Sequence, residues 1–284
     1  MKVFSNGTRA ILLTTCVAAT FAASSSARTS PPQQAPPSLA GAQGKPEPGS
    51  HPDAPKPNPK EEADYKAFTA VAPGDAGKKI QLGQQFLQNY PETRYDEAVK
   101  NQLVDAYYTK QDWSNFYSLS DKVIEKDPDD VDVLAVVGWV IPHLYDPADP
   151  NAQTKLSKAE SYEKHAIELL ANIPKPPNLT DDQFAQAKSE KSIEAHSGLG
   201  LVYFRQQDFD NAIKELQLAT SNNASPDATD LYVLGISLQQ SKRNSDAADA
   251  FTKCTQIPGP LQDRCKQSAS EAKSQSNHMG RALP

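Results

Sequence analysis

SGLGLVYFRQQDFDNAIKELQLAT (Ser197–Thr220) and YVLGISLQQSKRNSDAADAFTKCT (Tyr232–Thr255) decide the fold. At an offset of 35, Leu199 and Gly200 fall on Leu234 and Gly235, and Ala212, Leu216 and Ala219 fall on Ala247, Phe251 and Cys254. Both stretches space their apolar residues at the helical period. A fixed period of this length is the mark of an array in which one helical unit is stacked repeatedly. A further copy lies earlier, in LVDAYYTKQDWSNFYSLSDKVIEKDP, where Leu103, Tyr107, Asp112 and Pro128 take the corresponding places.

These residues resemble the tetratricopeptide repeat, whose skeleton is Leu-Gly-x-x-Tyr, then Ala, then Phe or Tyr, then Pro. The resemblance implies an all-α solenoid of helical hairpins, a helix-pair array of another class being the alternative. Gly200 and Gly235 are expected to let the first helix of each hairpin approach Ala212 and Ala247 on the second. Ala219 and Cys254 would let the second helix approach the next repeat, with Tyr203 and Phe251 filling the wider gaps. A hairpin alone buries only half its apolar surface, so stacking is required. Burial at ~25 cal/mol per Å² makes that contact the main stabiliser.

Two copies depart from the pattern. In the first, Val104, Phe116 and Val123 replace the small residues, which calls for looser or shifted packing. In the second, Ala159 follows Gly138 by 21 residues instead of 12. The excess includes Pro142, Pro147 and Pro150, so a loop over about residues 143–154 is expected, with the second helix over about 155–171. Thr180-Asp181-Asp182-Gln183 reads as a capping box opening a long helix that reaches Arg205. Residues 65–90 read as a degenerate opening hairpin. Leu261, Cys265, Ala269 and Ala272 form one face of a capping helix that ends near Lys273, closing an array over residues 61–273.

The flanks read differently. Lys2 and Arg9 precede a short apolar run over residues 10–23, and Ser25-Ser26-Ala27 offers small residues ahead of Arg28. Residues 1–27 are therefore expected to be a bacterial signal peptide, too short to span a bilayer stably, and the mature chain to be periplasmic or secreted. No integral membrane span is expected. Cys16 loosely resembles a lipoprotein box, but Thr15 stands where such boxes carry a small residue. The expectation is a Cys discarded with the signal; a lipid anchor at Cys16 is the alternative. Residues 28–60 are rich in Pro, Gln and Ala with almost no large apolar side chains, as expected of a disordered linker. Residues 274–284 read as a disordered tail.

Catalysis needs a nucleophile, an acid–base pair or a metal, and none assembles in the sequence. The histidines 51, 143, 165, 196 and 278 share no ligand spacing with one another or with the cysteines, and no metal or cofactor is expected. Asp127, Asp129 and Asp130 lack the Gly and closing Glu of a calcium loop and read as a helix-capping cluster. A net charge of −6 without a long basic run argues against nucleic acid and anionic lipid as partners.

What the resemblance implies instead is a groove lined by the first helices. Its positions fall on Asn101, Asp105, Tyr108 and Thr109; on Ala135, Trp139 and His143; on Ser197, Leu201, Phe204 and Arg205; and on Tyr232, Ile236 and Gln239. Repeats that clamp chaperone carboxylates carry Lys and Asn there, and this chain carries Asp105, Trp139, Leu201 and Ile236. The aromatic content favours an extended or helical apolar segment of a partner protein, although Trp139 and Ile236 could equally pack inside the superhelix. The expected function is a non-catalytic adaptor in the cell envelope, with a lipid-anchored structural subunit of an outer-membrane assembly complex as the alternative.

Without Cys16 the chain has two cysteines, Cys254 and Cys265, an even number in an oxidising compartment. Cys254 holds the small-residue place where a second helix meets the next element, and Cys265 lies on the apolar face of that element. The turn Pro258-Gly259-Pro260 brings the chain back between them. A disulfide closing so short a loop would stabilise by ~2–3 kcal/mol in the chain-entropy model. Thiol counting on the denatured, unreduced mature chain should find no free thiol; two would overturn the pairing.

Overall fold

Each helix of this chain folds back on the one before it, as the 35-residue period requires. The computed structural model describes Leu39 and residues 58–281 apart from 73, 178 and 222, and no side chain beyond residue 277. The expected signal peptide with Cys16, the rest of the linker before residue 58, and residues 282–284 lie outside the described residues. An opening pair, α1 (Pro59–Thr69) and α2 (Ala76–Asn89), precedes four hairpins. These are α3 (Asp96–Lys110) with α4 (Trp113–Lys126), and α5 (Val131–His143) with α6 (Ala152–Asn172). Then come α7 (Asp181–Arg205) with α8 (Phe209–Ser221), α9 (Ala228–Gln240) with α10 (Asn244–Cys254), and the closing α11 (Gln262–Arg281). No strand occurs among the described residues. Helix α5 packs on both α6 and α7, α7 on α8 and α9, and α10 on α9 and α11. Among the described residues the fold is an all-α array of consecutive helical hairpins.

Both outer boundaries of the array differ from expectation. Helix α1 opens at Pro59, inside the expected linker, because Asn58 caps it through Lys60 N and proline is favoured at a first helical position. Helix α11 continues to Arg281, past the end expected near Lys273. Residues 266–279 contain no Gly or Pro, so nothing in the sequence stops the helix there.

The hairpin turns repeat one backbone device. Gln111, Gln207 and Lys242 adopt left-handed conformations, with φ of 55°, 63° and 60°. Just beyond each, the N–H of Asp112, Asp208 or Arg243 donates to the carbonyl of Tyr107, Tyr203 or Leu238, at 3.0, 2.9 and 2.8 Å. That bond satisfies a helix-end carbonyl while the chain reverses. Asp112 and Asp208 then cap α4 and α8, accepting from Asn115 N and Asn211 N. The α5–α6 hairpin replaces this turn with the expected loop. Helix α5 keeps Pro142 in its last turn, however, and α6 starts at Ala152, about a turn earlier than expected. At α7 the capping box is present, Thr180 N donating to Gln183 Oε1 and Gln183 N to Thr180 Oγ1.

Inside the hairpins the tight contact is not the one expected. A Cβ on Gly200 would stand 2.6 Å from the Leu216 side chain, and one on Gly235 would stand 2.5 Å from the Phe251 ring. The glycines thus admit the large residue four positions after Ala212 and Ala247, rather than approaching those alanines themselves. The α3–α4 pair exchanges the two sizes: Phe116 takes the small-residue place and Ser120 the large one. Both are fully buried, and Ser120 Oγ donates to the Phe116 carbonyl at 2.7 Å.

In the α5–α6 pair the large-residue place, four after Ala159, is held by Glu163. It is 0% exposed. A Cβ on Gly138 would lie 2.6 Å from its Cδ, and one on Gly198 would lie 1.9 Å from its Oε1, so two glycines make room for this carboxyl. Neither carboxyl oxygen has a hydrogen-bond partner. Desolvation, reinforced by nearby Glu194 and only partly offset by Lys191, holds the Glu163 pKa well above the ordinary 4.5. At the far end, Cys254 and Cys265 form the expected disulfide, with Cα atoms 5.8 Å apart, and fasten α11 to α10.

A raised folded-state pKa means that the fold favours the protonated acid. As pH climbs above 4.5 the unfolded chain releases this proton while the folded chain keeps it, so stability falls. The loss is up to about 1.4 kcal/mol per pH unit and continues until the folded-state value is passed. Glu163→Gln removes that proton. Denaturation midpoints of the variant should decline less steeply than those of the native chain between about pH 5 and about pH 7. Parallel declines would show that Glu163 ionises as freely when folded as when unfolded.

Candidate functional site

The first helices α3, α5, α7 and α9 bring part of the expected groove set together. Tyr108 on α3 meets Trp139 on α5 edge-to-face, with ring centroids 6.0 Å apart, and also packs against Trp113 and Phe116. One turn on from Trp139, His143 lies over the indole at 3.8 Å between centroids, with Nδ1 2.7 Å from the Trp139 carbonyl. The Trp139 indole N–H donates to Ser197 Oγ at 3.1 Å, and Ser197 Oγ donates to Asp230 Oδ1 at 2.8 Å. This relay ties α5, α7 and α9 along one face.

Arg205, the last residue of α7, donates from Nε to the Pro142 carbonyl at 3.2 Å. Its guanidinium lies over Tyr145 at 5.4 Å and Phe204 at 5.9 Å, and burial lowers its pKa. Phe204 and Tyr232 are half-buried against the core of the last two hairpins, Tyr232 with its ring 5.6 Å from Phe251. Gln239 is half-buried near the end of α9, and Ile236 packs on the same core as Tyr232.

Four of the expected groove positions are buried. Leu201 is 2% exposed and belongs to the core joining α7 to α8–α11. Asn101 is 6% exposed, and its Nδ2 donates to Asp130 Oδ2 at 2.8 Å, joining α3 to the cap of α5. Ala135 and Ser197 are buried as well.

Other residues occupy the face that they leave. Asp105 is exposed, yet Lys79, Asp132, Lys191 and Glu194 gather around it. Desolvation, with Asp132 and Glu194 reinforcing it and Lys191 opposing, raises the Asp105 carboxyl to about 6. Lys191 pairs with Glu194 at 2.9 Å. Burial alone would lower the Lys191 pKa, but Glu194, Asp132 and Asp105 outweigh it and raise it. Sequence reading missed Asp132, Lys191 and Glu194. The signal available was the unusual length of α7, which carries Lys191 and Glu194 near Asp105 of α3, with Asp132 of α5 in the same cluster.

Three carboxylates, from Glu97, Asp127 and Asp130, bring oxygens within 4.8 Å of one another, a spacing that could hold a cation. Asp130 also accepts from Asn101 and from Val133 N, and desolvation and Asp132 raise it to about 7. Asp129, expected in the same cluster, turns instead to His165, whose Nε2 stands 2.7 Å away.

Asn101 therefore acts on stability. Its hydrogen bond lowers the Asp130 pKa, so Asn101→Ala should move that value above about 7. The loss of a bond to a buried charged group should cost ~1–3 kcal/mol by chemical denaturation. An unchanged midpoint would show that Asp130 does not depend on this amide.

No protein-family model and no curated protein matches the chain. Among solved structures, it is similar to a thermophilic tetratricopeptide-repeat protein of Thermus thermophilus, at 15% identity and a TM-score of 0.48. That match covers 75% of this chain and 98% of the other.

Proposed function

We propose that this chain is a non-catalytic adaptor of the bacterial cell envelope, periplasmic or secreted, that holds an extended or helical segment of a partner protein along its first-helix face. The observation that carries this reading is the aromatic row Tyr108, Trp139, Phe204 and Tyr232, one residue from each of four successive first helices. All four are half-buried, so each ring is held by packing while part of it faces outward. Rigid aromatic side chains of this kind anchor interfaces at low entropic cost. Arg205 and His143 stand beside the row. An envelope address is supported by the signal-like N-terminus of the sequence and by the disulfide that closes the array.

The test is capture of partners from native envelope extracts by the mature chain and by its Phe204→Ala and Tyr232→Ala variants. If these rings are hot spots, each loss should cost ~2 kcal/mol or more of partner affinity, about thirtyfold. Far-UV circular dichroism should stay native. Undiminished capture by both folded variants would overturn the proposal.

A further inference from the structure

Leu39 lies in the proline-rich stretch, far from the array in sequence, yet it is 0% exposed. It joins a cluster built by Val131, Leu134 and Ala135 of α5, Leu170 of α6 and Ala187 of α7. Its backbone N–H donates to Asp132 Oδ2 at 3.0 Å, across 93 residues of chain. This residue of the expected linker is therefore seated on the array.

We propose that the segment around Leu39 is an internal ligand of the first-helix face, occupying its α5–α7 part so that a partner must displace it. This rests on the reading of that face as a docking surface. Leucine supplies an apolar anchor, and the amide at the same residue meets a carboxylate: side-chain burial combined with main-chain hydrogen bonding, as in peptide recognition. The charges are complementary. From Arg28 to Pro46 the sequence carries Arg28 and Lys45 but no Asp or Glu, and near the Leu39 contact Asp105, Asp132 and Glu194 outnumber Lys79 and Lys191. Pro36 and Pro37 directly precede Ser38 and Leu39, and prolines bias a chain toward extended conformations, which lowers the entropy lost on docking. A tethered ligand meets its site at an effective concentration of roughly millimolar. An intrinsic dissociation constant near 0.1 mM thus keeps the site about nine-tenths occupied. The same arithmetic defines the external ligand: a non-acidic, extended segment with an apolar anchor and a free amide at that anchor.

The experiment uses the mature chain, its Leu39→Asp variant, and a labelled peptide of the sequence QAPPSLAGAQGKP, residues 34–46. The peptide should bind the variant about tenfold more tightly than the native chain, whose site is already filled. A peptide carrying the same Leu-to-Asp change should bind neither. Equal affinity for both chains, or binding to neither, overturns the proposal. Hydrogen exchange on the native chain reads the contact without relying on a variant. The Leu39 amide should exchange at least tenfold more slowly than in the urea-unfolded chain after correction for intrinsic rates, and no protection would overturn the proposal. Success here with no effect of Phe204→Ala and Tyr232→Ala on partner capture would remove the adaptor reading while leaving the internal ligand in place. Loss of capture with an unprotected Leu39 would do the reverse.

Discussion

Everything in this array hangs on how closely the first helix of a hairpin can lie against the second. A glycine on the first helix faces one large residue on the second, as in Gly200 with Leu216 and Gly235 with Phe251. A side chain on either glycine would collide with its partner at about 2.5–2.6 Å, so the helices would have to separate. Separation would also shift the outer face of the hairpin, on which the next hairpin stacks. In a solenoid each unit buries its apolar surface only against its neighbours, so the local spacing propagates along the array. The α3–α4 pair, which has no glycine, exchanges the two volumes between the buried Phe116 and Ser120.

This constraint explains what could be read from the sequence. Periodicity shows apolar faces, so the hairpins, the long α7 with its capping box and the closing helix were all legible. So was the pairing of Cys254 with Cys265, which needs only adjacent small-residue positions. Less legible was the partner of each glycine. One residue type marks the need for space, but not which of two nearby side chains fills it. The helix boundaries at Pro59 and Arg281 were hidden because composition marks a linker or tail only broadly, whereas a helix stops only where a residue stops it.

The first-helix aromatics keep the partial exposure that the sequence reading expected, whereas Asn101 and Ser197 are buried. A position facing a neighbouring repeat and one facing solvent can lie a single residue apart on a helix. Asn101 and Ser197 therefore looked like ligand contacts, and the fold uses both to join successive first helices through Asp130 and Asp230. Buried polar groups must find partners, and adjacent first helices are the partners within reach. The charges Lys191 and Glu194 were hidden because their place beside Asp105 of α3 and the buried Asp132 of α5 is a tertiary juxtaposition that no local pattern marks.

Apart from the exchange of volumes in α3–α4, the departures from the repeat gather at one place. The long loop, the glutamate in an apolar position, the lengthened α7, the charged face and the docked Leu39 all involve the α5–α6 pair or its contact with α7. On one side, a hydrophobic cluster runs from Phe68 through Leu156 and Ala159, with Val202 from α7. On the other, a second cluster runs from Leu201 to Ala272. Alongside that junction, a third core unites α5, α6 and α7, and Leu39 belongs to it. Because a solenoid transmits stability only through neighbouring units, the contact of α7 with the α5–α6 pair is the route by which the two halves feel each other. A buried carboxyl at that contact weakens it, and a docked apolar residue strengthens it. Whatever exchanges for Leu39 on this face therefore acts on the coupling between the two halves as well as on a binding surface.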